Sequence, residues 1–115
     1  MNLKKLEDLE LLSQTKQLVQ NERQLLTQIL QHLREVERRK LYCDLGRQSL
    51  FEYAVKDLKY SEGQAGRRIQ AMRLIRELPE LEKKIAAGKL SLSNVSQAAS
   101  YFREARKVAQ LKASD

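Results

Sequence analysis

Arg67, Gln70 and Arg73 recur every third residue within a stretch of good helix formers, so they share one face of a helix. That combination suits duplex DNA. One arginine offers a bidentate fork to guanine, glutamine pairs with adenine, and a second arginine reaches phosphate. Gly63 and Gly66 fall on the same side. Glycine inside a helix costs about 1 kcal/mol relative to alanine. Two on an outward face make sense where a DNA strand or a neighbouring helix must come close. Ser61-Glu62-Gly63-Gln64 opens this helix as a capping box, and the amides at the cap form a ready site for a phosphate oxygen. The candidate DNA-binding set is Ser61, Gly63, Gln64, Gly66, Arg67, Gln70 and Arg73. Arg38, Arg39 and Lys40 join it, because with Arg34 they cover more than one helical face and form a phosphate-contacting ridge.

Other chemistries find no residues. His32 is the only histidine and Cys43 the only cysteine, which excludes a disulfide framework, a Cys₂His₂ or Cys₄ zinc site and a His-x-x-x-His metal pair, and no His–Asp partner set would make Cys43 a nucleophile. His32 reads as a packed or surface histidine and Cys43 as a small core residue. Tyr42, Phe51, Tyr53 and Tyr60 read as core or rim packing. No catalytic residue, metal, cofactor or small-molecule substrate is expected.

The elements that must hold the basic face are all helical. From Leu3 to about Asp44 there is no Gly or Pro, and an apolar stripe runs through Leu18, Leu25, Ile29, Leu33 and Val36, widened by Leu26 and Leu30. One helix of that length spans about 60 Å. It either breaks near Gln20–Asn21 and folds back, or its N-terminal half packs on another chain; dimerisation is the favoured expectation. Gly46 should end it. Ser49-Leu50-Phe51-Glu52 is a further capping box, opening a helix over 50–58 with Phe51, Ala54, Val55 and Leu58 inward. The turn Lys59-Tyr60-Ser61 then leads into a second helix, about 62–78, with Ala65, Ile69, Met72 and Ile75 inward and Leu74 outward. Two short helices across such a turn fit a helix-turn-helix. Arg68 lies inside the apolar arc and needs a partner, so a structural ion pair with Glu52 or Glu35 is expected. Pro79 starts a short helix stopped by Gly88. A last helix runs from Asn94 to about Lys112 with Ala98, Phe102, Ala105 and Ala109 on its apolar face.

Charge is concentrated in the same region. Of the net +7, residues 34–76 carry +5, from eleven basic and six acidic side chains. No run of 18 apolar residues exists, and Met1 to Asp8 leads into a charged helix rather than an apolar signal core. A cytoplasmic protein with no membrane partner is expected.

Motifs in order along the chain support a resemblance. They are Leu33-Arg34-Glu35-Val36-Glu37-Arg38-Arg39-Lys40-Leu41-Tyr42, Leu45-Gly46, Ser49-Leu50-Phe51-Glu52-Tyr53, Tyr60-Ser61-Glu62-Gly63, Arg67-Arg68-Ile69-Gln70-Ala71, Leu78-Pro79 and Gly88-Lys89-Leu90-Ser91-Leu92-Ser93. Together they resemble the N-terminal, non-catalytic region of a group of bacterial HNH endonucleases. The Ser-capped helix, Leu-Pro and Gly-x-Leu-Ser are more loosely similar to the helix-turn-helix of ParB-type partition proteins. That likeness implies duplex DNA binding with Ser61 to Gln70 at the groove. The histidines and zinc cysteines of an HNH module have no counterpart here, so no cleavage is carried over. Gly46-Arg47 stands where Gly-Tyr is expected, and Gly66 where a larger residue is usual.

The expectation is an all-α protein in two parts. Residues 1–45 form a long N-terminal helix suited to dimerisation, and residues 46–115 form a compact helix-turn-helix bundle with a C-terminal helix. Its work would be non-catalytic, regulatory binding of double-stranded DNA as a homodimer. The alternatives are a helical protein–protein interaction module, which outward Leu74 would favour, and an N-terminal fragment of an HNH nuclease.

Overall fold

The computed structural model describes residues 2–113, without the side chains of 99–102 and 111–113. Among the described residues every regular element is helical, so the protein is all-α. A short 3-10 turn, Leu3–Lys5, is followed by α1 (Asp8–Arg39), α2 (Leu41–Asp44), α3 (Leu50–Lys56), α4 (Glu62–Glu77), α5 (Glu80–Ala86) and α6 (Leu92–Ala113). No helix among them is long and apolar enough to cross a membrane.

α1 is continuous through Gln20–Asn21, where a break was one of two expectations, and it does not fold back. Nothing in its sequence interrupts the ladder of amides until Lys40, which turns left-handed at φ 54°. There the Lys40 amide donates to the Glu37 and Val36 carbonyls and closes the helix. The stop therefore precedes Gly46, whose φ of +75° belongs to the turn after α2. Only the C-terminal part of α1 joins the body, supplying buried Leu30 and Leu33. Residues 8–19 are exposed throughout, and the molecule measures 68 × 36 × 20 Å.

α3 starts on Ser49, whose hydroxyl accepts from the Glu52 amide at 3.0 Å. Glu52 reaches past the cap and accepts from the Gln48 amide at 3.2 Å, so the expected box is displaced by one residue. Its inward residues are Leu50 and Ala54, whereas Phe51 and Leu58 are about 40 % exposed. Of the expected inner face Ala54 and Val55 do pack inward and Phe51 does not; Leu58 lies in the turn because the helix ends at Lys56.

α4 is the central element. α1 and α3 pack along it on one side and α6 along another, so Ala65, Ile69, Ala71, Met72, Leu74 and Ile75 are all buried. Leu74 is 5 % exposed, which corrects the expectation that it points outward. α5 opens on Pro79 and ends in a turn at Gly88, φ +79°. α6 begins at Leu92, two residues before Asn94, and Ser91 accepts from the Asn94 amide at 3.1 Å. Val95 is its buried anchor, and Ala98 packs on the core. Ala105 and Ala109 are exposed, so the expected apolar face does not extend that far; the Phe102 side chain lies outside the described residues.

Gly88 carries two constraints at once, since a Cβ there would sit 2.6 Å from Arg23 Cζ as well as adopt a left-handed backbone. Gly88→Ala is expected to destabilise the fold by about 1–2 kcal/mol or more, read as a lowered urea midpoint at unchanged m value.

Candidate nucleic-acid interface

Between α3 and α4 the chain turns through Lys59, which is left-handed at φ 65°, while the Tyr60 amide donates to the Ala54 carbonyl. Arg47 and Asp57 clamp the start of this turn with bonds of 2.8 and 3.1 Å, and the guanidinium holds the Asp57 carboxyl below its usual range. α4 then opens on a complete capping box. The Ser61 hydroxyl accepts from the Gln64 amide, and Gln64 Oε1 accepts from the Ser61 amide, both at 3.1 Å. The side-chain oxygens of Ser61 and Gln64 are thereby engaged, leaving the amides of Glu62 and Gly63 at the open end of the helix.

Gly63, Gly66, Arg67, Gln70, Arg73, Leu74 and Glu77 form one stripe along α4 at spacings of three and four. Its first two turns are accessible. A Cβ on Gly63 would lie 3.2 Å from Arg67 Nη1, so the Arg67 guanidinium folds back over the first turn. A Cβ on Gly66 would meet nothing within 4 Å. No atom of this chain requires a glycine there.

Further along, α6 takes over the stripe. Gln70 is half-buried and its Oε1 accepts from the Ser96 hydroxyl. Gln70 is thus spent on holding α6, which removes it from the expected adenine-reading role. Arg73 sends Nη2 to Glu37 at 2.7 Å and Nε at 3.2 Å, and Arg76 sends Nη1 to the other oxygen at 3.3 Å. One carboxylate from α1 is therefore shared by two guanidiniums that remain about half exposed.

Beside them a cleft of about 200 Å³ between α4 and α6 is lined by Arg73, Arg76, Arg103 and Arg106, with Gln70, Leu74 and Glu77. Arg106 grips Glu77 with both terminal nitrogens, which holds the Glu77 carboxyl below its usual range. Arg76, Arg103 and Arg106 were not singled out from sequence. The i, i+3 spacing of the last two was visible, but which helix they would face was not.

The remaining candidates divide. Arg38 and Arg39 both bind Glu35, Arg38 through Nε at 2.9 Å and Arg39 through Nε at 2.7 Å, and both stay exposed. Among the described residues Arg34, Lys40, Lys59 and Arg67 make no ion pair. The expected pair of Arg68 with Glu52 or Glu35 does not form. Glu52 is taken by Lys56 at 3.1 Å and by the Gln48 amide, and Glu35 by Arg38 and Arg39. Arg68 lies instead over the Tyr60 ring, 4.5 Å from its centroid, with Nη1 donating to the Gln64 carbonyl at 3.3 Å. Its Nε is buried without a partner. Cys43 is exposed rather than a core residue. His32 is exposed, with Nδ1 2.7 Å from the Gln28 carbonyl. Tyr42, Tyr53 and Tyr60 pack on the core as expected, whereas Phe51 does not. Among the described residues no group of three His, Cys, Asp or Glu could hold a metal ion.

The hydrogen bonds from Arg38 and then Arg39 lower the Glu35 carboxyl from 4.5 to about 2. A depressed carboxylate contributes stability that is complete above about pH 4.5 and is lost as pH falls toward 2. The Glu35 side-chain titration followed by NMR is expected to have its midpoint near 2, and Glu35→Gln should make the acid loss of stability shallower. Compared with protein-family models, curated proteins and solved structures, the chain gives no significant match, so the reading of this face rests on its geometry and chemistry.

Proposed function

We propose that the chain binds duplex DNA without cleaving it, through the outward stripe of α4 and the arginines that continue it. The observation that carries this reading is the continuity of that stripe. It starts at an accessible helix N-terminus with Gly63, Gly66 and Arg67, and ends in a cleft ringed by four arginines. α4 is about 24 Å long, enough to track several phosphates of one strand.

The chemistry favours positioning over base readout. Gln70 is engaged with Ser96, and Arg73 with Glu37, so Arg67 is left as the side chain suited to a base edge. Lys59 and Arg67, which make no ion pair, flank the open end of α4 where orphan amides add to the field. Glu62 at the same end opposes an anion and limits the gain. Arg34, Arg38, Arg39 and Lys40 supply further phosphate contacts. Gly66 costs helix stability, and its own chain makes no use of the space it leaves. A DNA backbone close to α4 would use it. Regulation by occupying a site is the role such a non-cleaving protein would fill.

Anisotropy of a labelled duplex at about 50 and 200 mM salt tests the reading. Affinity should fall steeply with salt, Arg76→Ala should reduce the log–log salt slope by about 1, and Arg67→Ala should weaken binding by about 1–3 kcal/mol. Absence of binding at the lower salt rejects DNA as the partner. Gly66→Ala supplies a separate check, because it should raise stability by about 0.4–1 kcal/mol while weakening DNA binding. A variant that is both more stable and equally tight would remove α4 from the interface.

A further inference from the structure

Two uncovered features lie on one face of α1. The first is an apolar groove of about 440 Å³ formed by Ile29, His32 and Val36 with Tyr53, Leu58 and Tyr60. The second is the continuation of that face toward the N-terminus, where Leu11, Leu18 and Leu25 recur every seven residues. Leu18 is 67 % and Leu25 58 % exposed, because residues 8–19 are exposed throughout and Leu25 stands at the edge of the groove. A groove without a helix and a helix without a groove thus share one molecule.

From these features we infer that two copies of the chain pair along α1, antiparallel and in full register. The inference does not rest on the DNA reading, since its apolar seam lies on α1 and the DNA stripe on α4; Arg39 and Lys40 alone are common to both. Thr15, Glu22, Ile29 and Val36 alternate with Leu11, Leu18, Leu25 and His32 at spacings of three and four, the two seams of a helix pair. Antiparallel seams mesh when Leu11 and Leu18 of one copy face Val36 and Ile29 of the other. That register also brings Asp8 of one copy level with Arg39 of the other, so the helix ends coincide and the whole of α1 is covered, about 48 Å. The Leu11–Leu18 segment of each copy then fills the groove of the other, twice by symmetry.

Charge selects the same arrangement. Glu7 and Asp8 at the start of α1 come beside Arg39 and Lys40 at its end, and among the described residues Lys40 makes no ion pair. Opposite ends of the two helix dipoles also become neighbours. A parallel pair would instead stack Glu7, Asp8 and Glu10 on their own copies, and Arg38, Arg39 and Lys40 likewise. Glu22 places a charge in the seam, facing Leu25 of the second copy, and Thr15 faces His32.

Sedimentation equilibrium from about 1 to 100 µM reads the association. The full chain should show dimer mass, Leu18→Glu should raise the dimer dissociation constant about a hundredfold, and Glu22→Leu should lower it. Leu18 is exposed, so an unchanged helical circular-dichroism spectrum will show that the variant folds. In a Cys43→Ser background, a short bis-maleimide should link Asp8→Cys chains to Arg39→Cys chains and neither to itself. Monomer mass at 100 µM, a dimer indifferent to Leu18→Glu, or linkage of Asp8→Cys to itself each overturns the proposal. None of these outcomes alters the test of DNA binding by Arg67→Ala.

Discussion

The structure depends on covering α4 from two sides. A 16-residue helix that buries Ala65, Ile69, Ala71, Met72, Leu74 and Ile75 has no single apolar stripe and cannot stand on one neighbour. α1 and α3 cover one flank and α6 the other. The small side chains of Ala65 and Ala71 permit close approach, while Met72 and Val95, each at most 2 % exposed, fill the space between elements. The Ser96–Gln70 bond and the Arg106–Glu77 pair fix α6 along α4. The exposed part of α4 is thereby confined to its first two turns and one edge, and any work α4 does at its surface must be done there.

Local signals in the sequence were sufficient for the elements and insufficient for their partners. The capping box at Ser61, the left-handed Gly88 and the inward set Ala65, Ile69, Met72 and Ile75 depend on neighbours within one or two turns, and all were legible. Leu74, Gln70 and Arg68 were misread for a common reason. Each has its environment set by a residue distant in sequence or by a competing bond: α6 over Leu74, Ser96 against Gln70, and Lys56 and Arg38 occupying the carboxylates expected to meet Arg68. Periodicity shows which side of a helix is apolar, and it does not show how many sides will be covered. The four-arginine cleft belongs to the same class, because it draws Arg73 and Arg76 from one helix and Arg103 and Arg106 from another.

The positive charge of residues 34–76 also changes character once the partners are known. Arg38, Arg39, Arg47, Lys56, Arg73 and Arg76 all sit within reach of a carboxylate, and Arg68 covers an aromatic ring. Part of the excess is therefore paired within single helices, and Arg47, Arg73 and Arg76 join separate segments. Most of these pairs are exposed, where each contributes little to stability and remains open to exchange with an incoming anion. Glu37 illustrates both uses, since it joins α1 to α4 through two arginines that both border the cleft.

Gly88 and Arg23 mark the last point at which the body holds α1. Gln20 donates to the Ala86 carbonyl at 3.2 Å, Arg23 lies against Gly88, and beyond them α1 is exposed. Mechanically this joint is a fulcrum, with residues 8–19 as a lever arm about 18 Å long. A tilt of about 10° there would carry the tip roughly 3 Å, more than half the rise of one helical turn. The far end of the molecule is thus held at one remove, by the packing of Leu30 and Leu33 and by these two contacts at the last point of support.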